Sequence, residues 1–335
     1  MKINQIIVIK ETREGEGRVA LTPETVASLV EKKYTIMVES EAGALAGFKD
    51  EDYIQAGASI FKISSAGFPS RSLLLRVKRL NREREHLENE LLPVSTVMMG
   101  FLDPFDVDHE NHMAKWHSLG IKTISLELMP LAANDPRNAQ AAMSQFAGRL
   151  ALQDALQHYR GILPKKVTIL GTGPAALSAG IAARNLQLPV QLFGRQERYR
   201  PEIEAAGIVY YVLPATDHSA FIRNYLCDET IIITAARSVG EKAPLLIDNA
   251  SLAALPEKAV IIDLSAGEGG SVVGSKEDAV VVVDRGILII NVSGYPKTEP
   301  KAASEAFARC MVNLLIELMS PDGEINLQSN LLNQF

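Results

Sequence analysis

Short runs of valine and isoleucine recur along this chain, each followed by a longer stretch with helical spacing, and that alternation leaves few architectures open. Continuous short apolar runs suit strands covered on both faces, which is the situation in parallel sheets whose crossover helices supply the cover. An α/β fold follows. In the first half, strands are expected at residues 6–9, 35–38, 73–77, 96–100 and 122–125, and helices at 23–32, 50–56 and 109–119. Thr22 before Pro23 reads as an N-cap followed by proline at the first helical position. Residues 138–159 hold no proline and one glycine among Ala, Leu, Gln and Met, the composition of one long helix. Beyond it, strands at 166–170, 190–193, 209–212, 230–234, 259–263 and 287–292 make a second parallel sheet, and 301–319 is a closing amphipathic helix. Residues 76–90 mix charges of both signs at i, i+4 spacing and read as a solvated helix.

Composition narrows the function classes. A length of 335 residues suggests two domains, and 47% hydrophobic with 22% charged residues excludes global disorder. A formal charge of -6 gives no average positive field for nucleic acid, so no nucleic-acid partner is expected. Two cysteines, Cys227 and Cys310, make neither a disulfide framework nor a zinc set and point to a reducing compartment. Lys10 and Glu11 interrupt the N-terminal apolar stretch before it reaches signal-peptide length, so the expected location is cytoplasmic. The apolar runs at 279–283 and 287–290 fall far short of the ~20 residues of a membrane span, and no direct membrane insertion is expected. Asp103, Asp106, Asp108 and His109 cluster in sequence but read as an oxygen-rich turn after a strand, with no metal.

The stretch that carries chemistry is Gly171-Thr172-Gly173-Pro174-Ala175-Ala176, between the strand ending at 170 and a helix at 177–186. The first glycine permits a tight turn, the second lets backbone approach a pyrophosphate, and the small third position allows close helix–strand packing. The helix N-terminus then offers free N–H groups to the anion. Gly171, Gly173, Pro174, Ala175 and Ala176 are therefore candidate cofactor-binding residues. An NAD site usually places an acidic residue at the end of the next strand to hold the ribose hydroxyls, and this chain has Gly194-Arg195 there. A missing carboxylate removes repulsion toward a 2′-phosphate, and a guanidinium pairs with one. The cofactor is NAD or NADP, with NADP favoured by Gly194-Arg195; the alternative for Arg195 is stacking on adenine or facing solvent.

Three stretches, Arg18-Val19-Ala20-Leu21-Thr22-Pro23, Gly43-Ala44-Leu45-Ala46-Gly47-Phe48 with Asp50-Glu51-Asp52-Tyr53, and Leu75-Arg76-Val77-Lys78, resemble the alanine dehydrogenase and pyridine nucleotide transhydrogenase family. Gly100-Phe101-Leu102-Asp103-Pro104, Leu126-Glu127-Leu128-Met129-Pro130 and residues 291–296 before the Ala-rich helix look more like its transhydrogenase α subunit than its alanine dehydrogenases. The resemblance implies two Rossmann-like domains, the first (1–137 plus 301–335) completed by the C-terminal helix and the second (138–300) inserted, and a homodimer. It adds Ala235, Ala236 and Leu264, each just past a strand, to the cofactor-binding positions.

Arg18 and Lys78 match positions that hold the carboxylate and carbonyl of a 2-oxo acid in the dehydrogenases, chemistry that a bidentate guanidinium and an ammonium suit. An interdomain salt bridge for Arg18 and a solvated strand end for Lys78 are the plainer readings. Asp103 stands where the dehydrogenases have a catalytic histidine, and Gly267 where they have a catalytic aspartate in the segment 263–270. Glu268, His109, His112 and His117 are the remaining groups of suitable type. Direct transfer between two nicotinamides asks mainly for orientation and exclusion of water. Asp135, Arg137 and Gln140 offer residue types seen around the nicotinamide in the transhydrogenases, at shifted spacing. The expected catalytic set is Arg18, Lys78, Asp103 and Gln140.

The resemblance therefore implies a dinucleotide-binding component exchanging hydride with a partner chain, an NADP(H)-binding β subunit, beside a membrane subunit. The alternatives are an NAD(P)H-dependent amino-acid dehydrogenase or 2-oxo acid reductase, and a degenerate dinucleotide-binding protein.

Overall fold

A computed structural model describes residues 1–105, 112–161, 166–226, 228, 230–236, 240 and 242–331. Cys227, Asp106, Asp108, His109 and the start of the helix expected at 109–119 lie outside the described residues. The chain divides into two compact units, Met1–Met143 with the chain from Lys297 onward, and Ser144–Pro296.

The first unit begins β1 (Gln5–Val8), α1 (Pro23–Glu31), β2 (Ile36–Glu39), α2 (Asp50–Gln55) and β3 (Ser59–Phe61). It continues with β4 (Ser72–Lys78), α3 (Arg82–Leu91), β5 (Val97–Phe101), α4 (His112–Ser118) and β6 (Lys122–Ser125), and the division between units falls inside α5 (Ala139–His158). Its six strands are parallel in the order β3-β2-β1-β4-β5-β6. Ile6, Ile7 and Val8 are almost wholly buried at the centre. Thr22 caps α1 with a reciprocal capping box to Thr25, and Pro23 sits at the first helical position.

The second unit carries β7 (Val167–Leu170), α6 (Pro174–Asn185), β8 (Val190–Gly194), α7 (Arg200–Ala205), β9 (Val209–Val212), α8 (His218–Arg223) and β10 (Ile231–Thr234). It closes with α9 (Asn249–Ala254), β11 (Val260–Asp263), β12 (Val280–Val283) and β13 (Ile287–Ile290). Strand order is β12-β13-β11-β10-β7-β8-β9. Each sheet thus reverses its winding direction beside its first strand, between β1 and β4 and between β7 and β10, the place where doubly wound folds bind ligands. Gly148, inside the part of α5 that belongs to this unit, lies so close to α6 that a Cβ there would stand 1.9 Å from the Ala175 carbonyl oxygen.

The chain then returns to the first unit as α10 (Pro300–Leu318), whose Ala303, Phe307, Met311, Leu314 and Leu318 recur at helical spacing and are buried. The Val19 N–H donates to Ser304 Oγ (3.0 Å), and the Tyr34 hydroxyl to the Met319 carbonyl (3.0 Å). α10 completes this domain's core.

Three expectations are corrected. Residues 76–78 belong to β4, and the helix starts only at Arg82. Nor is the segment solvated all round: Arg82, Glu83, His86 and Glu90 are exposed, but Arg76, Arg79, Glu85 and Glu88 are buried, pairing Arg76 Nη2 with Glu88 Oε2 (2.6 Å) and Arg79 Nε with Glu85 Oε1 (2.7 Å). Arg84 joins Glu88 (3.0 Å) to Glu39 (2.6 Å). An i, i+4 charge pattern is common to a solvated helix and to one whose carboxylates meet arginines from a neighbouring strand. The second sheet is not wholly parallel, because 280–283 forms an antiparallel edge strand against β13. Arg285 (φ 60°) and Gly286 (φ 70°) turn the chain back between them. The short strand β3 has no counterpart among the expected strands.

Candidate functional site

In the second unit, Gly171 leaves β7 with φ 135°, and a Cβ there would meet the Ala235 carbonyl oxygen at 2.3 Å. Only glycine satisfies both conditions. Gly173, the N-cap of α6, has open space where a Cβ would project, and no side chain caps the helix. Among the described residues, the N–H groups of Ala175 and Ala176 have no hydrogen-bond partner. The Ala176 side chain is fully buried against the sheet. These observations fit a pyrophosphate: an exposed glycine for close approach and two unspent donors behind it. Ala235 N donates to the Leu170 carbonyl (2.7 Å) and Leu264 N to the Thr234 carbonyl (3.0 Å). Gly171, Ala235, Ala236 and Leu264 thus stand at the C-terminal ends of three adjacent strands, β7, β10 and β11. Below them the buried Asp263 accepts from Thr234 Oγ1 (2.7 Å) and from the N–H groups of Ser265 and Ser271 (3.0 Å each), holding the turn that follows β11.

Arg195, just past β8, is exposed and makes no hydrogen bond or ion pair among the described residues. Gly267 is exposed, and a Cβ there would meet the Glu277 carboxylate at 3.1 Å, so an aspartate at 267 would face a like charge. Glu268 sits half-buried in the same short turn.

The first unit has its own cluster where the sheet reverses. β4 loses register against β5 between Leu75 and Lys78, so the N–H groups of Val77 and Lys78 donate instead to Glu11 Oε1 (2.6 Å) and Oε2 (3.2 Å). Glu11 lies just past β1 and is buried; burial, aided by the charge of Glu16, pushes its carboxyl up to about 8. Lys78 ends β4 half-buried, and burial lowers its ammonium despite the nearby Asp103. Among the described residues Lys78 makes no ion pair. It is not a solvated strand end.

Arg18, 2% exposed, is bidentate to Glu16, Nε to Oε1 at 2.7 Å and Nη2 to Oε2 at 2.5 Å. Burial would raise the Glu16 carboxyl, but the Arg18 hydrogen bonds and charge outweigh it and hold it down. The plainer reading of Arg18 is therefore corrected: the ion pair is local to this unit, two residues away. Nη1 points at Met143 Sδ (3.3 Å), a weak acceptor, leaving one edge of the guanidinium for a stronger one.

Asp103 follows β5 in the left-handed region (φ 49°), takes a 3.0 Å hydrogen bond from Arg13 Nη1, and its N–H donates to Glu127 Oε1 (2.9 Å). His112, buried on α4, places Nε2 2.7 Å from the Leu102 carbonyl, and His117 lies exposed beside Thr123. Arg18, Lys78 and Asp103 are brought together, since Asp103, Arg18, Arg13 and Glu16 all bear on Lys78. Gln140 is half-buried in the first turn of α5, one turn before Met143, with no side-chain hydrogen bond among the described residues; Asp135 and Arg137 pair with each other (2.7 Å). Sequence reasoning missed Glu11, Glu16, Arg13 and Glu127. The one signal for the first three is the charge alternation in 11–18, which equally suits an exposed loop, and Glu127 stands in an otherwise apolar run, 126–130. Among the described residues no group of three potential metal ligands forms.

Glu11 gives a pH test. Its folded carboxyl titrates above the ordinary value of 4.5, so the folded state holds a proton that the unfolded chain has lost between pH 4.5 and about 8. This group's contribution is full below pH 4.5 and is lost as pH rises through about 8, at up to ~1.4 kcal/mol per pH unit. Urea melts from pH 5 to 8 should show a fall in wild-type stability that Glu11→Gln flattens; parallel slopes for the two proteins would refute the assignment.

The alanine dehydrogenase/PNT N-terminal domain model matches residues 7–147, and the C-terminal domain model residues 138–334. An α-subunit chain of the NAD(P) transhydrogenase of Rickettsia prowazekii is 25% identical over 98% of this chain and 92% of its own length. An L-alanine dehydrogenase structure is 26% identical with a TM-score of 0.81, covering 94% of this chain and 90% of that one. A transhydrogenase structure from Sinorhizobium meliloti, 24% identical, has a TM-score of 0.83 and covers 92% of each chain.

Proposed function

The chain belongs to the alanine dehydrogenase/PNT family, and on that premise we propose that it is a transhydrogenase α-subunit-like oxidoreductase component. It binds a nicotinamide dinucleotide at the turn after β7 and passes hydride directly to a nicotinamide on a partner chain. The observation that carries this reading is a pairing: the dinucleotide turn keeps its open glycine and unspent N–H groups, while positions 103 and 267 carry Asp and Gly in place of the dehydrogenases' proton-handling His and Asp. Hydride transfer between nicotinamides moves no proton to or from the reacting carbons, so the chain's residues need only orient the ring and exclude water. The dinucleotide is NAD(H) or NADP(H), the latter favoured by the chemistry of Gly194-Arg195, the protein is cytoplasmic and a homodimer, and its partner is an NADP(H)-binding β subunit. No helix among the described residues is long and apolar enough to cross a membrane, so this reading leaves any membrane component to residues elsewhere.

A second reading, reduction of a small 2-oxo acid, is favoured by the Lys78 ammonium, which makes no ion pair among the described residues, and by Arg18 Nη1, which meets only the weak acceptor Met143 Sδ. One assay separates the two. NADH or NADPH is mixed with an oxidised nicotinamide analogue, with and without the NADP(H)-binding component of a known transhydrogenase, and separately with pyruvate and ammonia. The proposal expects analogue reduction only with the added component and none with the oxo acid. Oxidation of either cofactor by pyruvate and ammonia would overturn it in favour of the second reading, and binding without any turnover would leave a degenerate dinucleotide binder.

A further inference from the structure

We propose that Thr172 and Tyr210 decide which dinucleotide this unit accepts, by filling the space beside Gly194 and so leaving Arg195 to meet a 2′-phosphate. The inference rests on the second unit being a dinucleotide binder. β8 ends at Gly194, where a carboxylate would reach the ribose hydroxyls of an unphosphorylated cofactor. A Cβ at 194 would stand 2.1 Å from Thr172 Cγ2 and 2.6 Å from Tyr210 Oη. Tyr210 is the anchored neighbour, and Thr172 gives way only by turning its half-exposed side chain. Thr172 lies between the two glycines of the turn, one of which is locked against Ala235. Tyr210 is 3% exposed, its hydroxyl donates to the Gln196 carbonyl (2.9 Å), and its ring carries the Arg200 guanidinium at 5.2 Å. The aspartate or glutamate of an NAD site is therefore opposed by packing, beyond being absent from the sequence.

The same corner holds three arginines in different states. Arg200 is spent on Glu197, Glu204 and the Tyr210 carbonyl. Arg198 lies over the Tyr199 ring, its Nη2 donating to that hydroxyl (2.9 Å). Arg195, adjacent to the plugged position, has an exposed guanidinium with no partner among the described residues. A phosphate ester there gains charge-assisted hydrogen bonds, whereas a bare 2′-hydroxyl finds no carboxylate to accept its proton.

The test is titration of the full chain with NADPH and NADH by nucleotide fluorescence, with circular dichroism to verify folding. Wild type should bind NADPH at least about tenfold more tightly, and Arg195→Ala should weaken NADPH by about 10- to 100-fold with NADH unchanged. The triple variant Gly194→Asp with Thr172→Ala and Tyr210→Phe should favour NADH. Gly194→Ala gives a readout independent of ligand: it should lower Tm clearly in wild type and little beside Thr172→Ala with Tyr210→Phe. NADH binding as tight as NADPH in wild type, equal losses of both cofactors in Arg195→Ala, or the same Tm penalty for Gly194→Ala in both backgrounds would overturn the inference. A folded wild type that binds neither dinucleotide would instead remove the dinucleotide reading beneath it.

Discussion

Gly148→Ala should destabilise the second unit by about 3 kcal/mol or more and weaken dinucleotide binding by at least about tenfold. In an ordinary helix the same change stabilises by up to about 1 kcal/mol, because alanine loses less backbone entropy on folding. Here the sign reverses. The new methyl would stand 1.9 Å from the Ala175 carbonyl oxygen and 2.7 Å from its carbonyl carbon, so the contact is with backbone and no side-chain rotamer relieves it. Either α5 or the start of α6 must move, and the start of α6 carries the unspent Ala175 and Ala176 N–H groups of the proposed dinucleotide site. Urea denaturation and NADPH titration of the variant measure both effects. Unchanged affinity with lowered stability would show that α5 moved and the turn stayed.

Glu88→Ala should cost the first unit about 3–5 kcal/mol, the range for removing one partner of a buried ion pair. Arg76 is 0% exposed and Glu88 1%, so water cannot replace the lost carboxylate. Arg76 Nε and Nη1 already lack partners, and the substitution would strip the last one from a fully desolvated charge. Arg84 would lose one of its two carboxylates but retain Glu39. Replacing the pair together, Arg76→Met with Glu88→Leu, should recover most of the loss, since apolar residues of similar volume carry no desolvation penalty. Chemical denaturation of the two proteins checks this; equal instability in both would mean that packing, not charge, is what Glu88 supplies.

These two sites also mark where sequence stops being informative. Both sheets and nearly every strand can be read from Val/Ile runs such as 231–233 and 260–262, because a strand buried on both faces leaves a continuous apolar trace. The turn at 171–176 is equally legible, since its chemistry needs glycine at fixed spacing within one short segment. The charge network is not. Arg84 meets Glu39 across 45 residues, and Arg76 reaches Glu88 only because β4 lies under α3. Local spacing of charges carries no sign of burial. Glu11 shows the same limit: its role depends on β4 leaving register beside it, which follows from pairing between distant strands. Residue type marks Arg18 as a bidentate clamp, but the carboxylate it holds is its neighbour Glu16, a competition that residue type cannot reveal.

The first unit's dependence on α10 has a consequence for how the protein is made. Ile3 N bonds to the Gly323 carbonyl, and Val19 N to Ser304 Oγ across 285 residues. On the ribosome, the first 143 residues must wait through synthesis of the whole inserted unit before their last helix emerges. At ~5–20 residues per second that delay is roughly 10–30 s. Throughout it, the apolar surface that Phe307, Met311 and Leu314 later cover stands open. The nascent chain is therefore a natural client for holding chaperones, and the inserted unit, emerging complete, can fold first although it comes second.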